Sequence, residues 1–160
     1  MGYTHYWGLH KEKSFNLEQH YNNAKNEICL FIKTIQMEKK IDLEINFNID
    51  RSPNMEINFN GVNDDGHENF YMPSNYQEII GFAWNFCKTA RKPYDLVVMG
   101  SLFIIKKHLG NAFYMSSDGY SKGRYIDQEV KTAFKYYNKF QKTLNHNMAG
   151  IPITWYFNQN

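Results

Sequence analysis

Ile41-Asp42-Leu43-Glu44-Ile45-Asn46-Phe47-Asn48 alternates apolar and polar residues at every step, and Met55-Glu56-Ile57-Asn58-Phe59-Asn60 does so again a few residues later. Successive side chains of a strand point to opposite faces, so each stretch reads as a strand with one buried face. Asn48-Ile49-Asp50-Arg51-Ser52-Pro53-Asn54 between them is rich in turn-forming residues, which makes the two strands a hairpin. The shared Glu-Ile-Asn-Phe-Asn at 44–48 and 56–60 falls within the paired strands and reflects strand patterning, not a solenoid repeat.

Upstream of the hairpin, Leu17, Tyr21, Ala24, Ile28, Phe31 and Ile35 recur at spacings of four and three. This predicts a helix from Asn16, with Asn16 and Gln19 as a capping box, to about Glu38-Lys39-Lys40. Residues 2–9 set Tyr3, His5 and Trp7 against Thr4 and Tyr6 in a β-favouring stretch, a first strand. Downstream, Gly61 to Pro73 reads as a long polar loop, the kind of segment that carries binding residues. Ser74 with Gln77 caps a helix with Ile79, Ile80, Ala83, Phe86 and Cys87 on its apolar face, running to about Arg91 and stopped by Pro93. A second helix restarts at Tyr94-Asp95 and continues to His108, with Gly110 as its stop; apolar all round, it is expected at the centre of the core. Ala112 to Ser117 reads as a strand, Asp118-Gly119 as a turn, Ile126 to Leu144 as an amphipathic helix, and Ile151 to Phe157 as one more strand.

This order predicts an α+β fold, one domain over 1–160. Its antiparallel or mixed sheet would carry helices on one face in the ferredoxin-like, split βαβ order, with an inserted loop and helix. A chain of 160 residues can bury a core without metals or disulfides. Only Cys29 and Cys87 are present, each in an apolar pattern, so neither a disulfide framework nor a paired-cysteine zinc site is expected, and a reducing cytosol suits both. No stretch reaches the roughly 18 apolar residues of a membrane span, and the first residues resemble no export or lipid signal. The expected setting is soluble and cytoplasmic. A net charge of +2 is small for a nucleic-acid binder, so that partner is not expected.

The segment Phe86-Cys87-Lys88-Thr89-Ala90-Arg91-Lys92-Pro93-Tyr94-Asp95 concentrates charge. On a helix Lys88, Arg91 and Lys92 share one face, and the next helix opens just beyond with free backbone N–H groups. An anion could sit there; the same cations also complement a helix C-terminus, and Asp95 also caps a helix. His5, between Tyr3 and Trp7, is either a polar handle in an aromatic pocket or a core histidine satisfied by a neighbour. Asp64, Asp65, His67 and Glu68 place carboxylates beside an imidazole, where His67 and Glu68 would supply acid/base groups in an enzyme; a solvated acidic loop fits the same residues. Their spacing matches no metal pattern. Ser116-Ser117-Asp118-Gly119 offers hydroxyls and a carboxylate to a ribose or a base edge, or simply turns the chain. No phosphate-loop, dinucleotide, zincin or nucleophile-elbow motif is present, so no cofactor and no catalytic set is specified. Lys11, Lys13, Lys39 and Lys40 read as solvated surface charge.

At Gly-Tyr-Thr-His-Tyr-Trp, the Asn60-Gly61 to His67-Glu68 loop, Phe-Cys-Lys-Thr-Ala-Arg-Lys-Pro-Tyr-Asp and Ser-Ser-Asp-Gly, the chain resembles a family of small uncharacterised proteins of tailed bacteriophages. The resemblance spans residues 2 to 119 and implies a phage accessory protein acting in the host bacterial cytoplasm. One role for such proteins is to sequester nucleotide-derived immune signals. Together with the residues above, this gives the leading expectation: a sponge for a phosphate-bearing, nucleotide-like small molecule, often built as a homo-oligomer. Lys88, Arg91 and Lys92 would meet the anion, and His5, Trp7, Tyr94 and Asp118 the rest. A phosphodiesterase or hydrolase acting on such a nucleotide, or a protein-interaction inhibitor of a host enzyme, is the alternative.

Overall fold

The computed structural model describes residues 2–10, 16–50, 55–80, 85–146 and 150–158. Strand β1 (Thr4–Leu9) is followed by helix α1 (Leu17–Lys39), strands β2 (Leu43–Ile45), β3 (Ile57–Gly61) and β4 (Phe70–Met72), and a one-turn helix α2 (Gln77–Ile80). Then come β5 (Asn85–Lys88), α3 (Asp95–Leu109), β6 (Phe113–Ser117), the short strands β7 (Tyr120–Ser121) and β8 (Tyr125–Ile126), α4 (Gln128–Thr143) and the short α5 (Ile153–Tyr156).

The hairpin holds: β2 and β3 are antiparallel with Glu44 opposite Asn60, and Ile57 and Phe59 are buried while their neighbours are not. β4 adds a third strand that the sequence presents only as loop. Ser52, Pro53, Asn54, Ala83, Lys11 and Lys13 lie outside the described residues. The class is α+β, with helices and small antiparallel sheets. The sheet β5-β1-β6 keeps the split βαβ arrangement: β5 and β6, joined through α3, flank the central β1 and are antiparallel to it, while β2-β3-β4 form a separate sheet where the ferredoxin-like order has one further strand beside β5. The two sheets are clasped where Glu68 N–H donates to the Lys88 carbonyl and Lys88 N–H donates to the Glu68 carboxylate.

Three further expectations are corrected. Asn85–Lys88 is strand, not helix, because Thr4–Trp7 offers it a full antiparallel partner and its alternation buries Cys87 beside His5. The Asn16 capping box does not form: Asn16 has a left-handed φ of 58° and its side chain makes no cap bond. Ile153–Tyr156 is helix rather than strand, begun by Pro152 and anchored where the Tyr156 and Tyr137 hydroxyls meet at 2.9 Å.

One hydrophobic cluster runs through all of these elements. The inner face of the sheet around β1, with Trp7, Cys87, Phe113 and Met115, is buried, while Phe86 on the outer face is exposed, the usual asymmetry of an antiparallel sheet. α3 lies between α1 and α4 and also packs on β6, which is why it is apolar on all sides. At Gly100 any β-carbon would enter the Phe31 ring of α1, so glycine sets this close helix approach. Polar clamps hold the layers. Glu27 of α1 accepts bonds from Lys107 and His108 of α3 and Gln141 of α4, and buried Lys25 donates to the Met55 and Ser74 carbonyls. Among the described residues no helix is long and apolar enough to cross a membrane.

Candidate functional site

The register of β1 with β6 sets His5 directly opposite Ser117 on the inner sheet face, and the first turn of α3 brings Asp95 to the other side of the ring. His5 Nδ1 lies 2.8 Å from Ser117 Oγ, and Nε2 lies 2.6 Å from Asp95 Oδ1, which also accepts Thr89 Oγ1. Gly119 N–H donates to Ser117 Oγ. The connectivity is that of a hydroxyl–imidazole–carboxylate relay, yet every member is buried, His5 at 0% exposure. Buried polar groups need such partners, so the arrangement acts as a core network joining two strands and a helix. His5 is therefore the satisfied core histidine, not a pocket handle. Trp7 is likewise 1% exposed and packs on Phe70 with ring centroids 5.1 Å apart.

The cationic turn is also committed internally. Lys88 sits on β5, and Ala90 and Arg91 have left-handed φ angles of 51° and 60°, so Lys88, Arg91 and Lys92 do not share a helix face. Lys92 precedes a proline, which disfavours helical backbone there. Thr89 and Ala90 N–H groups both donate to the Tyr3 carbonyl and fold the turn over β1. Arg91 Nη1 lies 2.8 Å from Glu129 and 3.2 Å from Asp127, and the guanidinium stands 4.0 Å from the Tyr3 ring centroid. The Tyr3 hydroxyl donates to both oxygens of Asp127, and burial followed by that bond pushes its pKa above the ordinary value. Arg91 is thus no free anion clamp: two carboxylates from α4 and the residue before it neutralise it. Lys92 lines a small pocket of about 230 Å³ at the start of α3, which Glu129 and Asp95 also line.

Tyr94 is buried, and its hydroxyl donates to the Glu68 and Lys88 carbonyls. Asp118 is exposed but accepts the Thr4 N–H at 2.9 Å, a bond that ties its turn to β1. In the loop, Glu68 spends its carboxylate on the Lys88 N–H, and His67 is exposed. Among the described residues no three His, Cys, Asp or Glu side chains are grouped to hold a metal.

A cleft of about 890 Å³ opens elsewhere, between the β7–β8 hairpin and the segment around α5, with Met115 and Ser116 of β6 between them. On one side stand Tyr120, Ser121, Lys122 and Gly123, the last with a φ of 72° that glycine adopts freely. On the other are Thr154, Trp155 and Phe157, and Tyr120 stacks on Phe157 with centroids 4.0 Å apart at 7°. Buried Lys106 fixes this second wall from below: it donates to the Phe113 and Asn158 carbonyls and lies 5.5 Å from the Trp155 ring centroid. Burial brings the Lys106 ammonium down to about 8. The lining can stack a flat ring, hydrogen-bond hydroxyls and pair one negative charge.

Of the residues singled out from the sequence, only the Ser116 turn borders this cleft. Trp155 and Tyr120 were legible as aromatics but not as neighbours, since the stacking of Tyr120 on Phe157 joins segments far apart in the chain. Comparison with protein-family models, curated proteins and solved structures found no match.

Proposed function

We propose that this protein captures a flat, phosphate-bearing small molecule of the nucleotide class in the cleft between the β7–β8 hairpin and α5, and holds it without turnover. The supporting observation is the cleft itself: about 890 Å³, lined by Trp155 and the stacked Tyr120 and Phe157, with Ser116, Ser121 and Thr154 hydroxyls and Lys122. Small-molecule sites of roughly 300–1,000 Å³ combine apolar walls with a few polar groups in this way. In the phage setting that the sequence resemblance implies, such capture in the bacterial cytoplasm denies a host defence effector its signal. The proposal includes a homo-oligomer, which light scattering of the purified protein tests.

The test incubates the purified protein with a panel of mono-, di- and cyclic nucleotides, removes free ligand, denatures the protein and weighs what is released. Retention of an intact nucleotide is expected. Trp155→Ala should weaken binding roughly tenfold or more, since stacking on one ring is worth about 1–3 kcal/mol per base. Arg91→Ala should not. Release of a chemically altered nucleotide would replace capture with hydrolysis, and no retention of any member would end the proposal.

A further inference from the structure

The small net charge of the chain conceals a strong asymmetry. All 16 Asp and Glu residues lie at or before Glu129, where 14 Lys and Arg leave a net −2, whereas residues 130–160 hold four lysines and no acid, a net +4. These four, Lys131, Lys135, Lys139 and Lys142, all lie on α4 at i, i+4, i+8 and i+11. At 3.6 residues per turn they fall within an arc of about 80° and along about 16 Å of helix. All four are exposed, and they border an open groove of about 720 Å³ with Tyr136 and Phe134. Lys139 is paired with Glu38 at 3.1 Å, while Lys131, Lys135 and Lys142 have no carboxylate partner among the described residues. From α1, Lys39 adds a fifth cation, its Nζ 4.6 Å from the Tyr136 ring centroid.

We infer that this face of α4 docks the phosphate backbone of a nucleic acid without reading its sequence. Like charges at i and i+4 repel, so a helix face made only of lysines costs stability unless an opposite charge covers it. The occupant must be extended and anionic, as a row of cations is. Lysine is a point-charge partner for phosphate, and α4 carries no arginine, the residue type that reads guanine edges best. A membrane surface fits less well. The apolar side of α4, with Val130, Ala133, Tyr137 and Phe140, is already buried in the core and leaves no face to insert between lipids. The inference is independent of the cleft, which lies among other residues.

The experiment measures anisotropy of a labelled mixed-sequence DNA duplex with the whole protein across a salt series. Three to four released counterions predict a slope of log K on log salt of about −3, and Lys135→Gln with Lys142→Gln should bring it closer to zero by roughly 2. Lys88→Gln, on β5, should leave the slope as it was, and a thermal melt of the double variant shows that its fold is retained. No duplex binding at low salt, an unchanged slope in the double variant, or preference for phosphatidylserine vesicles or polyglutamate over the duplex at equal ionic strength would overturn the inference.

Discussion

His5 Nε2 stands 2.6 Å from Asp95 Oδ1 inside the core, so a strand and the start of a helix 90 residues later are joined by one hydrogen bond. Removing the acceptor strands two buried donors, the His5 ring and the Thr89 hydroxyl. Asp95→Ala is expected to lower unfolding free energy by about 1–3 kcal/mol, whereas Asp95→Asn, which keeps an acceptor oxygen, should cost less. Urea denaturation compares the two, and equal losses would show that the acceptor is not what matters.

Glu27 predicts an acid limb. Burial alone raises its pKa, but bonds from His108, Lys107 and Gln141 overcome that and bring it from 4.5 down to about 2. With the folded pKa below the unfolded one, the stabilisation is complete above 4.5 and disappears as pH falls toward 2. Its size is on the order of 3 kcal/mol. Glu27→Gln should lower stability near neutrality and flatten this pH dependence, which chemical denaturation at a series of acid pH values measures.

The two thiols should be inert in the folded state. Burial pushes Cys87 up to about 12 and Cys29 up to about 11, and the thiolate is the reactive form. Iodoacetamide at mildly alkaline pH is expected to leave the native mass unchanged and to add two groups in urea. Rapid native labelling of Cys87 would contradict its placement on the inner sheet face.

Ala90 holds a left-handed φ of 51° with no glycine to ease it. Left-handed backbone costs an L-residue roughly 1–2 kcal/mol, and glycine gives back part of the gain through unfolded-chain entropy. Ala90→Gly should therefore stabilise the protein by up to about 1 kcal/mol, seen as a higher denaturation midpoint; a lower midpoint would count against the turn geometry.

The elements that sequence patterning captured are those whose periodicity is long or whose burial is one-sided. α1 repeats its fours and threes over 23 residues, α3 announces its central position by lacking a polar face, and β2 and β3 alternate without a break. Asn85–Lys88 was illegible because Ile79, Ile80, Ala83 and Cys87 keep helical spacing, and only the distant Thr4–Trp7 decides for strand. The internal partners of Arg91 and His5 are hidden from local pattern for the same reason. Arg91 looks free until α4 delivers Glu129, and His5 looks available until β6 and α3 supply Ser117 and Asp95. Local pattern records which residues are special, and tertiary register decides what they touch.

The central place of β1 bears on how the chain is made. During synthesis its second neighbour emerges only when Ser117, 112 residues after His5, has left the ribosome. Until then the side of Trp7 and Leu9 that meets Met115 and Phe113 lacks its partners on the nascent polypeptide, while α1 can wind at once. Closure of this sheet is consequently a late event, and a translation arrest before residue 113 leaves β1 without one of its two flanking strands.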